Sequence, residues 1–133
     1  MLYLLDTDTC SYAMRGTSGA LDARLASAKP NEIAISAVTR AEMVVGLEKR
    51  GNPRALSRLV HDFLGRITVM PWDAAAADHF ARLSAALERS GTPIGVMDTM
   101  IAGHALALKA TLVTNNSKHF QKVEKLEVEN WTE

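Results

Sequence analysis

Cysteine is nearly absent: Cys10 is the only one in 133 residues. No intramolecular disulfide is possible, and a reducing compartment is the simplest setting for the chain. A charge excess is also missing, because fifteen basic residues balance fifteen acidic ones. That removes the overall basic footprint by which nucleic-acid binders are usually recognised, so an RNA ligand has to be met by a local patch. No apolar run approaches the roughly 18–20 residues of a membrane span. The opening MLYLLDTD reaches an aspartate too soon for the apolar core of a secretory signal. Cytoplasmic localisation without membrane attachment is the expectation. Internal repeats, linkers and low-complexity segments are absent as well.

What remains is ordinary globular chemistry, 47% hydrophobic and 23% charged, and the length predicts one domain over residues 1–133. A chain of this size hides roughly 65–70% of its unfolded surface and needs neither disulfides nor a structural metal. Leu2–Leu5, Ile33–Ile35, Ile67–Met70 and Thr111–Val113 are short apolar runs that read as buried strands, with Leu126–Val128 as a fifth. Helical patterns lie between them. Leu56, Leu59, Val60, Phe63 and Leu64 mark an amphipathic face, and Phe80, Leu83 and Leu87 mark another behind the cap residue Asp73. Strands alternating with helices predict an α/β fold of three layers, a mainly parallel sheet of 4–5 strands between helices.

In such sheets ligands bind at the carboxyl ends of the strands, so acidic residues there carry the most weight. Asp6 ends the first strand, Glu42 lies early in the helix after the second, and Asp98 opens the helix leading into the fourth. Each has an ordinary use too: Asp6 as a helix cap, Glu42 as a surface residue, Asp98 at the positive end of a helix. Together they suit a hard cation. Mg²⁺ takes oxygen ligands and commonly rests on a few carboxylates plus substrate phosphate. The apolar neighbours Val96, Met97, Met100 and Ile101 make an ionised Asp98 costly unless something positive compensates it. Asp8 reads as a helix cap. His104, six residues beyond Asp98, falls on the far side of the helix and reads as structural, and Trp72 and Trp131 read as packed.

The string LLDTDT also opens the haloacid dehalogenase phosphatases, in which the first aspartate is a nucleophile. That reading needs an acidic pair after the lysine that follows Thr114, and only Glu124, Glu127, Glu129 and Glu133 remain, in a charged tail. Three other blocks agree with one another. YLLDTDTCSY, SAVTRAEMVVGLEK and PIGVMDTMIAGHALALKATLVTNNSKHF resemble, in order and over nearly the whole chain, the motifs of bacterial PIN-domain toxins of the VapC type. Within them, the likeness is to the enteric subgroup that cuts initiator tRNA in its anticodon loop.

The resemblance implies an endoribonuclease with Asp6, Glu42 and Asp98 as its metal-binding carboxylates, using Mg²⁺ or alternatively Mn²⁺. Such a cation polarises the scissile phosphate and activates water, leaving 5′-phosphate and 3′-hydroxyl ends. Relatives often carry a fourth acidic residue at one of two places that here hold Asn116 and His119. Three carboxylates favour one metal over two. Asp8 stands where relatives often have Asn, and adds negative charge beside the site. Thr7 and Thr114 are candidates to orient the carboxylates. Arg15, Lys49, Arg50, Arg54 and Lys118 are candidate RNA contacts. The family also implies a cognate VapB-like antitoxin, with self-association into a homodimer and higher toxin–antitoxin assemblies. Apolar residues around Met43–Leu47 and Leu56–Leu64 suggest a groove for it. A non-catalytic PIN-like binding module is the rival reading.

Overall fold

The computed structural model describes residues 1–133. In chain order it comprises β1 (Tyr3–Leu5), α1 (Thr7–Arg15), α2 (Gly19–Ser27), a 3₁₀ turn (Pro30–Glu32), β2 (Ile33–Ser36), α3 (Ala37–Lys49), α4 (Arg54–Arg66), β3 (Thr68–Met70), α5 (Ala74–Arg89), α6 (Val96–Leu108), β4 (Thr111–Val113), α7 (Ser117–Phe120) and β5 (Val128–Glu129). The five strands pair in the order β3-β2-β1-β4-β5, every pair parallel. The expected α/β architecture is therefore present. The last strand lies two residues later than the sequence pattern placed it, at Val128–Glu129.

Alternation along the strands builds two cores. Leu4 pairs in register with Ala34 and Leu112, and Leu5 with Ile35 and Val113. Successive side chains point to opposite faces, so the first trio joins Leu87, Ile101, Ala102, Ala105 and Phe120 on the α5–α6 side. The second trio joins Cys10, Leu21, Met43, Leu47, Val60, Leu64 and Trp131 on the other. Strands covered on both faces explain why these runs are continuously apolar. No helix is long and apolar enough to cross a membrane.

Two polar contacts fix the helices against the sheet. Ser36 caps α3 by accepting from the Val38 N–H at 3.1 Å, and its Oγ lies 2.8 Å from Nδ1 of the buried His104. The Pro71 carbonyl accepts from the same ring; burial lowers the His104 pKa, against Asp73 and the Pro71 bond, which raise it. His104 is thus structural, as the sequence suggests. Trp72 donates to the Met100 carbonyl at 3.1 Å. Trp131 is buried against Tyr3 with Arg24 over its ring, so both tryptophans are packed.

The two alanine-rich helices α5 and α6 approach so closely that a Cβ on Gly103 would lie 2.8 Å from the Phe80 backbone nitrogen and 2.9 Å from its Cα. Neither atom belongs to a flexible side chain, so the helices themselves have to move. Gly103→Ala is expected to destabilise the fold by about 1–3 kcal/mol, the usual cost of overpacking, as read by urea denaturation. An unchanged midpoint would show that the α5–α6 interface yields at no cost.

Candidate active site

β1 is the central strand and ends at Asp6, whose N–H donates to the Val113 carbonyl at 3.0 Å. The carboxylate is thereby set at the carboxyl edge between β2 and β4, only 5% exposed. Its Oδ1 accepts from the Thr9 N–H at 2.9 Å, capping α1. Cap and site are one residue. Burial raises the Asp6 pKa; bonds from Thr114 and Thr9 oppose that, and the Asp8 charge adds to it. The Thr114 Oγ1 in turn accepts from the Asn116 N–H at 3.0 Å, which leaves its hydroxyl proton for the Asp6 carboxylate.

Glu42 lies on the second turn of α3, where its Oε1 accepts from the Thr7 hydroxyl at 2.6 Å. Its pKa is raised first by burial and then, against the Thr7 bond, by the charges of Asp98, Asp8 and Asp6. Asp98 enters from the first turn of α6. The helix starts on Gly95, whose φ of +96° suits glycine and whose carbonyl accepts from Thr99 Oγ1 at 2.6 Å. The Asp98 pKa is also raised, by burial foremost and by Asp8, with His119 working in the opposite direction.

These groups line one cleft of about 250 Å³, bounded by Asp6, Thr7, Asp8, Glu42, Asp98, Asn116 and Phe120. All three carboxylates singled out in the sequence therefore meet, with Asp8 and Asn116 beside them. No three His, Cys, Asp or Glu side chains converge tightly enough to enclose a bare ion as they stand. Each carboxylate is instead held by a protein donor. A cation that keeps several of its waters and leans on substrate phosphate does not need tighter closure. Four carboxylates and no lysine or arginine line this cleft, and this is the observation that fits a divalent cation.

The structure changes several expectations. Asp8 is not a cap; it is the second residue of α1, exposed, with Asp6 capping instead. Val96 and Met97 do not bury Asp98, being 67% and 48% exposed. The group beside Asp98 is the donor His119, whose Nε2 lies 2.9 Å from Asp98 Oδ2 and 2.9 Å from the Ile94 carbonyl. A carbonyl only accepts, so Nε2 carries the proton and shares it with the carboxylate. His119 is thus tied to Asp98 and outside the lining of the cleft. Nothing in the sequence spacing announces that bond, because it depends on the Ile94 carbonyl.

Of the candidate RNA contacts, Arg15 and Arg50 line a groove that starts at Thr7 and Glu42 and runs between α1, α3 and α4. Lys49, Arg54 and Lys118 are exposed but line neither this groove nor the carboxylate cleft. The groove floor contains Met43, Leu47, Leu56 and Val60. Most of the apolar excess foreseen there is absorbed by the core, leaving Val45 and Leu59 as its large exposed members.

The PIN-domain family description matches residues 3–126. The chain belongs to the PIN-domain family. It is 37% identical over 132 residues to ribonuclease VapC2 of Rickettsia felis, covering 98% of each chain. It is 35% identical over 130 residues to the tRNA(fMet)-specific endonuclease VapC of Shigella flexneri, again covering 98% of each. Among solved structures, it superposes on the crystal structure of VapBC2 from Rickettsia felis bound to a promoter DNA fragment with a TM-score of 0.91 and 35% identity. That match covers 98% of this chain and 99% of the other. With relatives at this level, the PIN-domain chain is of the VapC kind. PIN-domain ribonucleases are in general dependent on divalent metal.

The pKa directions give this PIN domain a pH signature. A carboxyl whose folded pKa is raised stabilises the fold fully below its unfolded pKa, and that stability is lost as pH rises through the folded value. For Asp6, Glu42 and Asp98 the window opens at the ordinary carboxylate range and extends above it. Glu42→Gln and Asp98→Asn are expected to leave Tm at pH 7 unchanged or raised, and to flatten its fall as pH rises above the ordinary carboxylate range in metal-free buffer. A drop of several degrees at pH 7 in both variants would contradict the repulsive field.

Proposed function

We propose that this protein is a Mg²⁺-dependent endoribonuclease toxin of a toxin–antitoxin module, acting in the cytoplasm as one PIN domain over residues 1–133. The observation that carries the reading is the meeting of Asp6, Glu42 and Asp98 in one cleft at the carboxyl edge of the sheet. Homology supports the substrate class: relatives similar along almost their whole length are named ribonuclease VapC or tRNA(fMet)-specific endonuclease. The favoured substrate is a tRNA, the initiator tRNA cut in its anticodon loop.

In this reading Asp6, Glu42 and Asp98 hold the cation, Mg²⁺ or alternatively Mn²⁺. The bound cation supplies charge neutralisation at the scissile phosphate and a lowered pKa for water. The protein does the rest. Asp6, backed by Thr9 and Thr114, is the most rigid of the three carboxylates and fixes the site to the sheet. Glu42 has one oxygen engaged by Thr7, which steadies the carboxylate at the cleft and leaves its other oxygen free of a protein donor. Water oxygen would bond to phosphorus as the P–O3′ bond breaks, with a cleft carboxylate taking the water proton and the departing O3′ taking a proton from solvent, leaving a 5′-phosphate and a 3′-hydroxyl. Asn116, at the cleft wall, presents an amide where relatives often carry acid, and His119 holds Asp98 from behind.

The groove between α1, α3 and α4 is the proposed seat of a VapB-like antitoxin segment. It is apolar along its floor, carries Arg15 and Arg50, and opens at Glu42, so an occupant there shields the carboxylates from RNA. Solved relatives similar over their full length are VapBC complexes, which supports an antitoxin partner; a homodimer within a larger assembly belongs to the same proposal.

Asp6→Asn and Asp98→Asn are expected to reduce cleavage of total tRNA by at least about 100-fold and to relieve growth arrest. Both are expected to remain folded: Asn can still cap α1 at position 6, and Asp98 caps no helix, its own starting on Gly95. Chelation should abolish wild-type cleavage, and Mg²⁺ or Mn²⁺ should restore it. Mapping new 5′ ends after brief expression should find one cut in a tRNA anticodon loop. Cleavage by both variants equal to wild type would remove the catalytic assignment and leave a binding module.

A further inference from the structure

One face of α1 is left unused by the carboxylate site. Asp8, Ser11, Tyr12 and Arg15 are spaced 3, 1 and 3, the interval that puts residues on a single helical stripe. With Thr17 beyond the helix and Asn115 from the turn after β4, they line a second cleft of about 510 Å³. Asp8 borders both this cleft and the catalytic one. The two are therefore neighbours across one carboxylate.

The lining is unlike a leftover surface dent. Tyr12 is 39% exposed, although nothing on α1 needs an aromatic ring at a solvent-facing position. The Asn115 Oδ1 is buried without a hydrogen-bond partner, against the strong tendency of buried polar atoms to be paired. An amide with no internal partner at that oxygen has none to surrender when it turns toward a ligand. Arg15 ends the stripe, and none of its guanidinium nitrogens is within ion-pair distance of a carboxylate. The helix rises about 1.5 Å per residue, so Asp8 and Arg15 are roughly 10 Å apart along its axis. That span suits one nucleotide beyond the reacting one.

We propose that this cleft is a nucleotide subsite of the ribonuclease, where a base of single-stranded RNA stacks on Tyr12 and an adjoining phosphate is held by Arg15. Asp8 sets the direction. Its carboxylate repels phosphate and can only accept hydrogen bonds, so a donor-bearing base edge faces Asp8 and the phosphate lies toward Arg15. Ser11, Thr17 and Asn115 supply further hydrogen bonds to the base. Such recognition of an unstacked base by an aromatic face and polar groups is the usual mode for single-stranded RNA. It also answers the absent basic excess, since one arginine and one ring take the place of a charged surface.

The inference rests on the ribonuclease reading for its choice of ligand, and the experiment separates the two. In an Asp98→Asn background, which stops cleavage, binding of a fluorescein-labelled single-stranded 12-mer RNA of mixed sequence is followed by anisotropy. Tyr12→Ala is expected to weaken binding roughly ten-fold, while Tyr12→Phe, which keeps the ring, stays within about two-fold. Arg15→Ala is expected to weaken binding and to reduce the salt slope by about 0.7, one phosphate on a single strand. A 2-aminopurine placed in the RNA should be quenched by the Tyr12 protein and not by the Tyr12→Ala protein. Unchanged affinity for Tyr12→Ala and Arg15→Ala, with wild-type cleavage intact, overturns the subsite and leaves the nuclease. Tyr12-dependent binding by a wild-type protein that cleaves nothing keeps the subsite and overturns the nuclease.

Discussion

The constraint on which the site depends is the crowding of negative charge at one end of β1. Asp6, Asp8, Glu42 and Asp98 face a common cleft, and three of them are harder to ionise than ordinary carboxyls, burial being the first cause in each. The fold tolerates this by tying each to a donor: Thr9 and Thr114 for Asp6, Thr7 for Glu42, His119 for Asp98. These donors are neutral or shared. They steady the carboxylates without cancelling the charge, and the remaining imbalance is what makes the cleft attractive to a cation.

The rest of the architecture makes that crowding rigid. Asp6 sits on the central strand, with β2 and β4 on either side and a separate core on each face. Ser36, at the end of β2, links the start of α3 to His104 on α6. The helix that carries Glu42 and the helix that carries Asp98 are thus joined behind the site by one buried hydroxyl–imidazole contact. Gly103, next to His104, lets α5 press onto α6 at backbone distance, so the helix bearing Asp98 has little freedom to shift.

Much of this was legible in the residues. Strands buried on both faces leave short apolar runs, and a carboxylate that ends such a run lies at the ligand edge of a parallel sheet. That logic pointed to Asp6, Glu42 and Asp98, and the ordered motifs tied the three into a set. What was not legible depends on atoms that sequence spacing does not encode. The His119–Asp98 bond is set by the Ile94 carbonyl. Asp8 reads as a cap until the helix is seen to start on Asp6. The apolar residues of α3 and α4 look like a partner surface, but most are consumed by the core they cover. Tyr12 and Asn115 carry no signal until α1 and the turn after β4 are brought side by side.

The histidine at position 119 gives the proposed metal site a character of its own. Where relatives often carry acid, this chain places a donor that points at Asp98 and adds no oxygen ligand. The cleft therefore takes its fourth carboxylate from the exposed Asp8 on α1 and none from the turn after β4. A second divalent ion about 3.5–4 Å from the first needs further oxygen ligands of its own, and the turn after β4 brings only Asn116 to the cleft, His119 being turned to Asp98. The oxygens that stay available are enough to anchor one ion that retains water and takes the rest of its shell from RNA phosphate. Under the proposed function, the chain is a one-metal nuclease whose substrate completes the site. That places more of the burden of positioning RNA on protein groups outside the carboxylates, and the Tyr12–Arg15 face of α1 is the nearest surface equipped to carry it.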